Sequence, residues 1–200
     1  PQPLITDLNA LPFPALDLME IDRYTETFQG EPIFSILTSR GCPFHCVYCC
    51  KSTHGRRWIG RSPENIVAEI EYYISHWGKR AFFLVDDLFT CDPKRVKEFC
   101  RLVKNKRLDI TWRCLSRVDT VSKELMREMA EAGCRLITFG IESCDDAELE
   151  KIKKGATQEQ TVKTLAWARE VGMPAKASMM LALPGDTPES LFRTIDGIVD

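Results

Sequence analysis

Short apolar, β-rich runs recur along the chain at 33–38 (IFSILT), 81–85 (AFFLV), 110–114 (ITWRC), 135–139 (RLITF) and 175–183 (AKASMMLAL). Each is followed by a stretch whose apolar residues fall at helical spacing. In the first such stretch Ile66, Val67, Ile70, Tyr73, Ile74 and Trp77 make one stripe able to lie on a sheet. Helix starts are marked at Ser62-Pro63, Asp92-Pro93 and Thr187-Pro188, where a capping oxygen precedes a proline that has no amide hydrogen to lose. Thr157 and Gln160 have capping-box spacing, and Gly78, Gly133 and Gly172 stand where left-handed C-terminal caps belong. Strand–helix repeats with crossovers of this length predict parallel strands and right-handed connections, an α/β fold.

Repetition alone does not separate an open doubly wound sheet from a barrel. Polar residues gather just after the strands, and no phosphate-binding glycine fingerprint follows the first one, which favours a partial TIM-like (β/α) barrel. Its expected span is 33–200, truncated after about five βα units, because the helix from Pro188 runs to residue 200 with no closing strand. The pattern is that of a piece of something longer. Residues 1–32 hold five of the eleven prolines and read as an extended lead-in or linker.

Composition narrows the class. At 200 residues and 44% hydrophobic content the chain can bury a sizeable core. Nine cysteines, clustered at one place and otherwise scattered singly, do not form a secreted disulfide framework, so a reducing, cytoplasmic setting is expected. No apolar run approaches the ~20 residues of a membrane span, and the opening PQPLITDLNALPFPALDL lacks signal-peptide character. A net charge of -2 with interleaved signs leaves no electrostatic footprint for nucleic acid. The basic run HGRRWIGRSP, with Arg56, Arg57 and Arg61, reads as a solvated or domain-facing loop; its alternative is to steer an anionic substrate.

The chemistry concentrates in SRGCPFHCVYCC, residues 39–50, where Cys42, Cys46 and Cys49 obey C-x3-C-x2-C. Thiolates select zinc, copper(I) or iron–sulfur clusters. Structural zinc wants four donors, usually in two separated pairs, and His45 is the only imidazole near this loop. Three thiolates from one tight loop can instead hold three irons of a [4Fe-4S] cubane and leave the fourth open to a chelating molecule. Cys50 is an alternative third ligand, whereas Cys91, Cys100, Cys114, Cys134 and Cys144 read as small core hydrophobes.

Cys42-x3-Cys46-x-Tyr48-Cys49, with an aromatic residue just before the third cysteine and a position right after the first strand, resembles the cluster motif of the radical S-adenosylmethionine (SAM) superfamily. Later stretches resemble it in order across residues 33–195: LVDDLF with Asp86 and Asp87, LSRVD with Arg117, GIES with Glu142, and LPGDTPES with Pro184. The resemblance implies that one of Asp86 and Asp87 meets the SAM amino group, Arg117 its carboxylate, Glu142 its ribose or amino-acid moiety, and Tyr48 its adenine. The LPGDTPES region would line the adenine pocket, and all these positions would share the rim at the C-terminal ends of the strands.

The implied cofactors are a [4Fe-4S] cluster held by Cys42, Cys46 and Cys49, and SAM on the open iron. One electron into the sulfonium would give methionine and a 5'-deoxyadenosyl radical that takes hydrogen from a small-molecule substrate. The implied reductant is a flavodoxin or ferredoxin. The lead-in, the DD pair and GIES are most similar to the branch that follows a cobalamin-binding domain, which includes radical methyltransferases and anaerobic oxidative cyclases, so cobalamin bound by an upstream domain is expected. Against this stand two plainer readings of the same thiols: an electron-transfer module with a fourth protein ligand, and a zinc-stabilised barrel fragment.

Overall fold

The computed structural model describes residues 5–50, 52–183 and 185–199. In chain order the elements are β1 (Thr27–Phe28), β2 (Glu31–Ile36), β3 (Ser39–Arg40), β4 (Ile59–Gly60), α1 (Pro63–Trp77), β5 (Ala81–Leu84) and α2 (Pro93–Asn105). They continue with β6 (Thr111–Ser116), α3 (Lys123–Glu131), β7 (Cys134–Glu142), α4 (Asp146–Lys151), α5 (Gln158–Glu170), β8 (Ala175–Met179) and α6 (Pro188–Val199). One six-stranded sheet has the order β1-β2-β5-β6-β7-β8 and curls into an open partial barrel. Its five long strands are parallel, as the βα repeats predict, and β1 adds an antiparallel edge to β2.

The caps form as their chemistry dictates. Ser62 accepts from the Asn65 amide, Asp92 from Lys94 and Arg95, and Thr157 and Gln160 complete both halves of the capping box. Gly78 closes α1 at φ +63°, where a side chain would be strained. Packing then follows strand alternation. Ile36, Phe82, Leu84, Trp112, Cys114, Ile137 and Phe139 point outward against α1, α2 and α3, all at 1% exposure or less. Each large apolar side chain buried in this way contributes roughly 1.5–3 kcal/mol. The concave side carries a smaller plug of Phe28, Ile33 and Ala81, flanked by Phe83 and Leu136.

Every strand differs from the sequence reading by one to four residues at one end or both, and two of these shifts have a visible cause. The first strand stops at Ile36 rather than 38, because Thr38 and Ser39 turn to bind Asp86. The fifth stops at Met179, and Leu183 instead forms a turn with Asp186. The lead-in also folds onto the barrel: Leu8 is buried, and the side-chain oxygen of Asn9 accepts from the Ser62 amide at 2.9 Å. Arg61 is not solvated, unlike Arg56 and Arg57. It is buried in a brace with Glu69, Asn65 (2.7 Å) and the Leu37 carbonyl (3.1 Å).

Candidate active site

The cysteine loop is built outward from Asp86. This carboxylate, wholly buried at the end of β5, accepts from Thr38 N (2.6 Å), Thr38 Oγ1 (2.5 Å), Ser39 N (3.0 Å) and Ser39 Oγ (2.7 Å). Arg95 stands 3.7 Å away and also donates to the Thr38 carbonyl at 2.9 Å. Four acceptor bonds and one cation compensate the desolvation of the buried charge. Burial tends to lower the Arg95 guanidinium pKa, with Asp86 and Asp92 opposing. The ribbon of β3 and β4 then brings the two ends of the loop together. At Gly41 (φ +81°) an added Cβ would lie 2.3 Å from the Arg57 carbonyl oxygen, so the closure requires glycine. From the far side, Val47 N donates to Ile152 O at 3.0 Å, pinning the loop to the end of α4.

A cavity of about 280 Å³ opens under this loop at the C-terminal ends of the strands. Cys42, Cys46, Tyr48, Cys49, Cys50, Asp87, Arg117 and Glu142 all line it, so the structure brings together every described candidate except Asp86. Of the two neighbouring aspartates, Asp87 faces the cavity while Asp86 braces the loop behind it. Pro184 lies outside the described residues. Within LPGDTPES, Thr187 and Ser190 exchange capping bonds and do not line the cavity.

Glu142 reaches the cavity through a backbone irregularity. The ladder of β7 and β8 slips between Gly140 and Glu142, and Glu142 takes φ +74°, a left-handed conformation costing about 1–3 kcal/mol for a non-glycine residue. Its Oε1 accepts from Tyr48 Oη at 2.8 Å and from Lys154 Nζ at 3.1 Å, and Lys154 also donates to Tyr48 Oη at 3.2 Å. Burial, then the charge of Glu142, drives the Tyr48 phenol far above its usual range, so it stays a hydrogen donor. An added Cβ at Gly140 would come within 2.5 Å of Glu142 Oε1 and 3.0 Å of Lys154 Nζ, so glycine here makes room for both groups.

Arg117 and Glu142 do not pair with each other. Arg117 holds Asp119 through Nε (2.8 Å) and Nη2 (2.7 Å), lies over the Phe44 ring at 3.7 Å, and points Nη1 at Cys46 Sγ, 3.4 Å away. Burial works to lower the guanidinium pKa, but Asp119 and Cys46 outweigh it and raise it.

The donor set fits an iron–sulfur cluster. Cys42 and Cys46 are buried on the cavity wall and Cys49 is exposed at its mouth. Among the described residues no three His, Cys, Asp or Glu side chains form a single-ion site. Three thiols on one cavity are soft donors of the kind an iron–sulfur cluster takes. His45 is exposed, as a solvated loop residue should be. Cys100, Cys114 and Cys134 are buried in the core, and burial pushes the Cys100 and Cys114 thiols up.

Sequence reasoning missed Lys154, which is 3% exposed and joined to Glu142. The signal was KKGA, where two lysines meet a glycine after a short helix. Lys153 (φ +53°) and Gly155 (φ +72°) both adopt left-handed backbone, so the turn folds Lys154 inward. Ser116, Thr138 and Ser178 also line the cavity and carried no motif.

A sequence profile described as the Radical SAM superfamily matches residues 36–198. An uncharacterized methyltransferase of Pyrococcus horikoshii is 36% identical over 98% of this chain and 42% of its own length. The anaerobic magnesium-protoporphyrin IX monomethyl ester cyclase of Rubrivivax gelatinosus is 26% identical over 96% of this chain and 35% of its own. The chain thus spans less than half the length of these curated relatives. Among solved structures, the radical SAM methyltransferase TsrM of Kitasatospora setae, with cobalamin and a [4Fe-4S] cluster bound, superposes with a TM-score of 0.77 at 22% identity, over 84% of this chain and 34% of its own. The cobalamin-dependent radical enzyme OxsB gives a TM-score of 0.75 at 20% identity, over 82% of this chain and 26% of its own. These two likenesses concern the fold; the profile, spanning the cysteine loop and every strand-end residue around the cavity, shows that this chain belongs to the radical SAM superfamily.

Proposed function

We propose that this chain is the catalytic core of a radical SAM enzyme in which Cys42, Cys46 and Cys49 hold a [4Fe-4S] cluster and the cavity beneath them receives SAM. The observation that carries the reading is the convergence of three motif cysteines with Tyr48, Asp87, Arg117 and Glu142 on one cavity at the C-terminal ends of parallel strands. When bound and reduced, such a cluster supplies the single electron that splits SAM into methionine and a 5'-deoxyadenosyl radical.

The chain's own groups have separable tasks. Asp87 offers a carboxylate to the SAM amino group. Arg117, clamped by Asp119 and Phe44, supplies fixed positive charge to the cysteine sulfur and to the methionine carboxylate. Glu142, oriented by Tyr48 and Lys154, accepts from SAM hydroxyl or amino groups. The rim of Tyr48 packed against Leu149, Ile152, Leu183 and Met180 excludes water from that side. Methyl transfer or oxidative cyclisation with cobalamin on another part of the full protein is the outcome suggested by the relatives, and a flavodoxin or ferredoxin is the electron donor.

Anaerobic reconstitution followed by reduction tests this reading. The expected product is 5'-deoxyadenosine from SAM, and its absence from a fully loaded protein counts against the proposal. One observation favours a second reading, an electron-transfer module: Cys50 lines the same cavity, its thiol 3.0 Å from Ser52 Oγ, and would serve as a fourth ligand. In that case the Cys50→Ser chain loses its cluster.

A further inference from the structure

The concave face of the sheet continues below the cavity, and its lining there is not uniformly apolar. Register partners in parallel strands share a face. Ser35, Phe83, Arg113 and Leu136 therefore form one row across β2, β5, β6 and β7, and Leu115, Thr138 and Lys176 form the row above it. Leu115 and Thr138 line the cavity, which sets Arg113 about 7 Å beneath it, two residues along a strand.

Arg113 is held on the concave face by aromatic rings. Its guanidinium lies over Phe83 at 4.3 Å and Phe28 at 5.6 Å, so its orientation is fixed by ring contacts on two strands. Its Nη2 pairs with Glu26, whose side chain is 61% exposed, while its Nε is buried with no hydrogen-bond partner among the described residues. The edge formed by Nε and Nη2 is the one that binds a carboxylate or phosphate through two parallel bonds. Glu26 fills half of that edge, and an ion pair with so exposed a carboxylate is worth little and readily exchanged. Lys176, exposed in the row above, adds a second cation on the same face.

We infer that Arg113 is the recognition residue for an anionic oxygen group of the substrate, a carboxylate or a phosphate ester, and that Glu26 keeps its place until that group arrives. The inference rests on the proposed reaction site only in calling the ligand a substrate. An anion seated at Arg113 would direct the rest of its molecule up the concave face, toward the cavity that Leu115 and Thr138 share.

The test is a titration followed at the arginine Nε–H resonances of the 15N-labelled chain, with the Arg113 signal assigned from the Arg113→Lys variant. The probes are propionate, inorganic phosphate and, for ionic strength, chloride. The expected result is a saturable shift with propionate or phosphate and not with chloride, tightened at least threefold in Glu26→Gln and weakened in Lys176→Gln. Whichever probe saturates names the anion. A shift that follows chloride equally, or that is no tighter in Glu26→Gln, overturns the inference. Neither variant needs Arg113→Lys to fold, since both keep the resonance itself. Because neither cluster nor SAM enters the readout, an anion response without SAM cleavage sinks the functional reading alone, and the reverse sinks this inference alone.

Discussion

Tyr48 Oη donates to Glu142 Oε1 at 2.8 Å, joining the cysteine loop to the end of β7 across 94 positions of chain. Lys154 closes the triangle from the turn after α4. The carboxylate is thereby aimed before any ligand arrives, which lowers the ordering cost of binding.

Removing one corner of that triangle should have unequal effects. Lys154→Met leaves a nearly buried carboxylate without its cation and is expected to cost roughly 3–5 kcal/mol, read from urea unfolding. Tyr48→Phe removes one hydrogen bond to a charged group and should cost about 1.5–3 kcal/mol at most, with weaker SAM binding by calorimetry.

The same tyrosine sets an alkaline limit. Its folded pKa is raised by burial and by Glu142 above the ordinary 10.0, and that of Tyr73 is raised by burial and by Glu69. In the unfolded chain both phenols lose their protons near pH 10 while the folded chain keeps them. Their contribution is therefore complete below pH 10 and is lost as pH rises above it. Unfolding midpoints measured from pH 9 to 11.5 should fall, and the fall should be shallower in Tyr48→Phe.

Asp86 and Asp87 should separate cleanly despite being neighbours. Asp86→Ala strips four acceptor bonds from the loop and leaves Arg95 buried beside the gap, for an expected loss of about 3–5 kcal/mol. Asp87→Asn should stay within about 0.5 kcal/mol of the parent chain while weakening SAM binding. Thermal melts and SAM titrations on the two variants check both halves.

Two glycines divide in the same manner. Gly41→Ala drives a Cβ into the Arg57 carbonyl at a positive φ, so the loop should fail to close and iron content should drop. At Gly140 the obstructing atoms are the ends of the Glu142 and Lys154 side chains, which can swing aside. Gly140→Ala should keep its iron and lose SAM affinity.

Much of this was legible in the chain because the strand, cap and cysteine signals are local. Ser62, Asp92 and Thr157 announce their helices within three residues, and the thiols are spaced within one loop. What escaped depends on contacts distant in sequence. Asp86 and Asp87 look alike as letters, and only the return of Thr38 and Ser39, 48 and 47 positions away, makes one a brace and leaves the other facing the cavity. Arg61 sits in a basic run that reads as solvated until Glu69, eight residues on, is folded over it. Lys154 is marked in the sequence only by the short KKGA stretch, because its place is fixed by two left-handed residues beside it and by a partner at the end of β7.

The account stands most directly on the electron paramagnetic resonance spectrum of the reduced, reconstituted chain recorded with and without SAM. It predicts a [4Fe-4S] signal whose g-values move when SAM is added, retained in Cys50→Ser and lost in Cys42→Ser, Cys46→Ser and Cys49→Ser. A spectrum indifferent to SAM, or a cluster that disappears with Cys50, would contradict it.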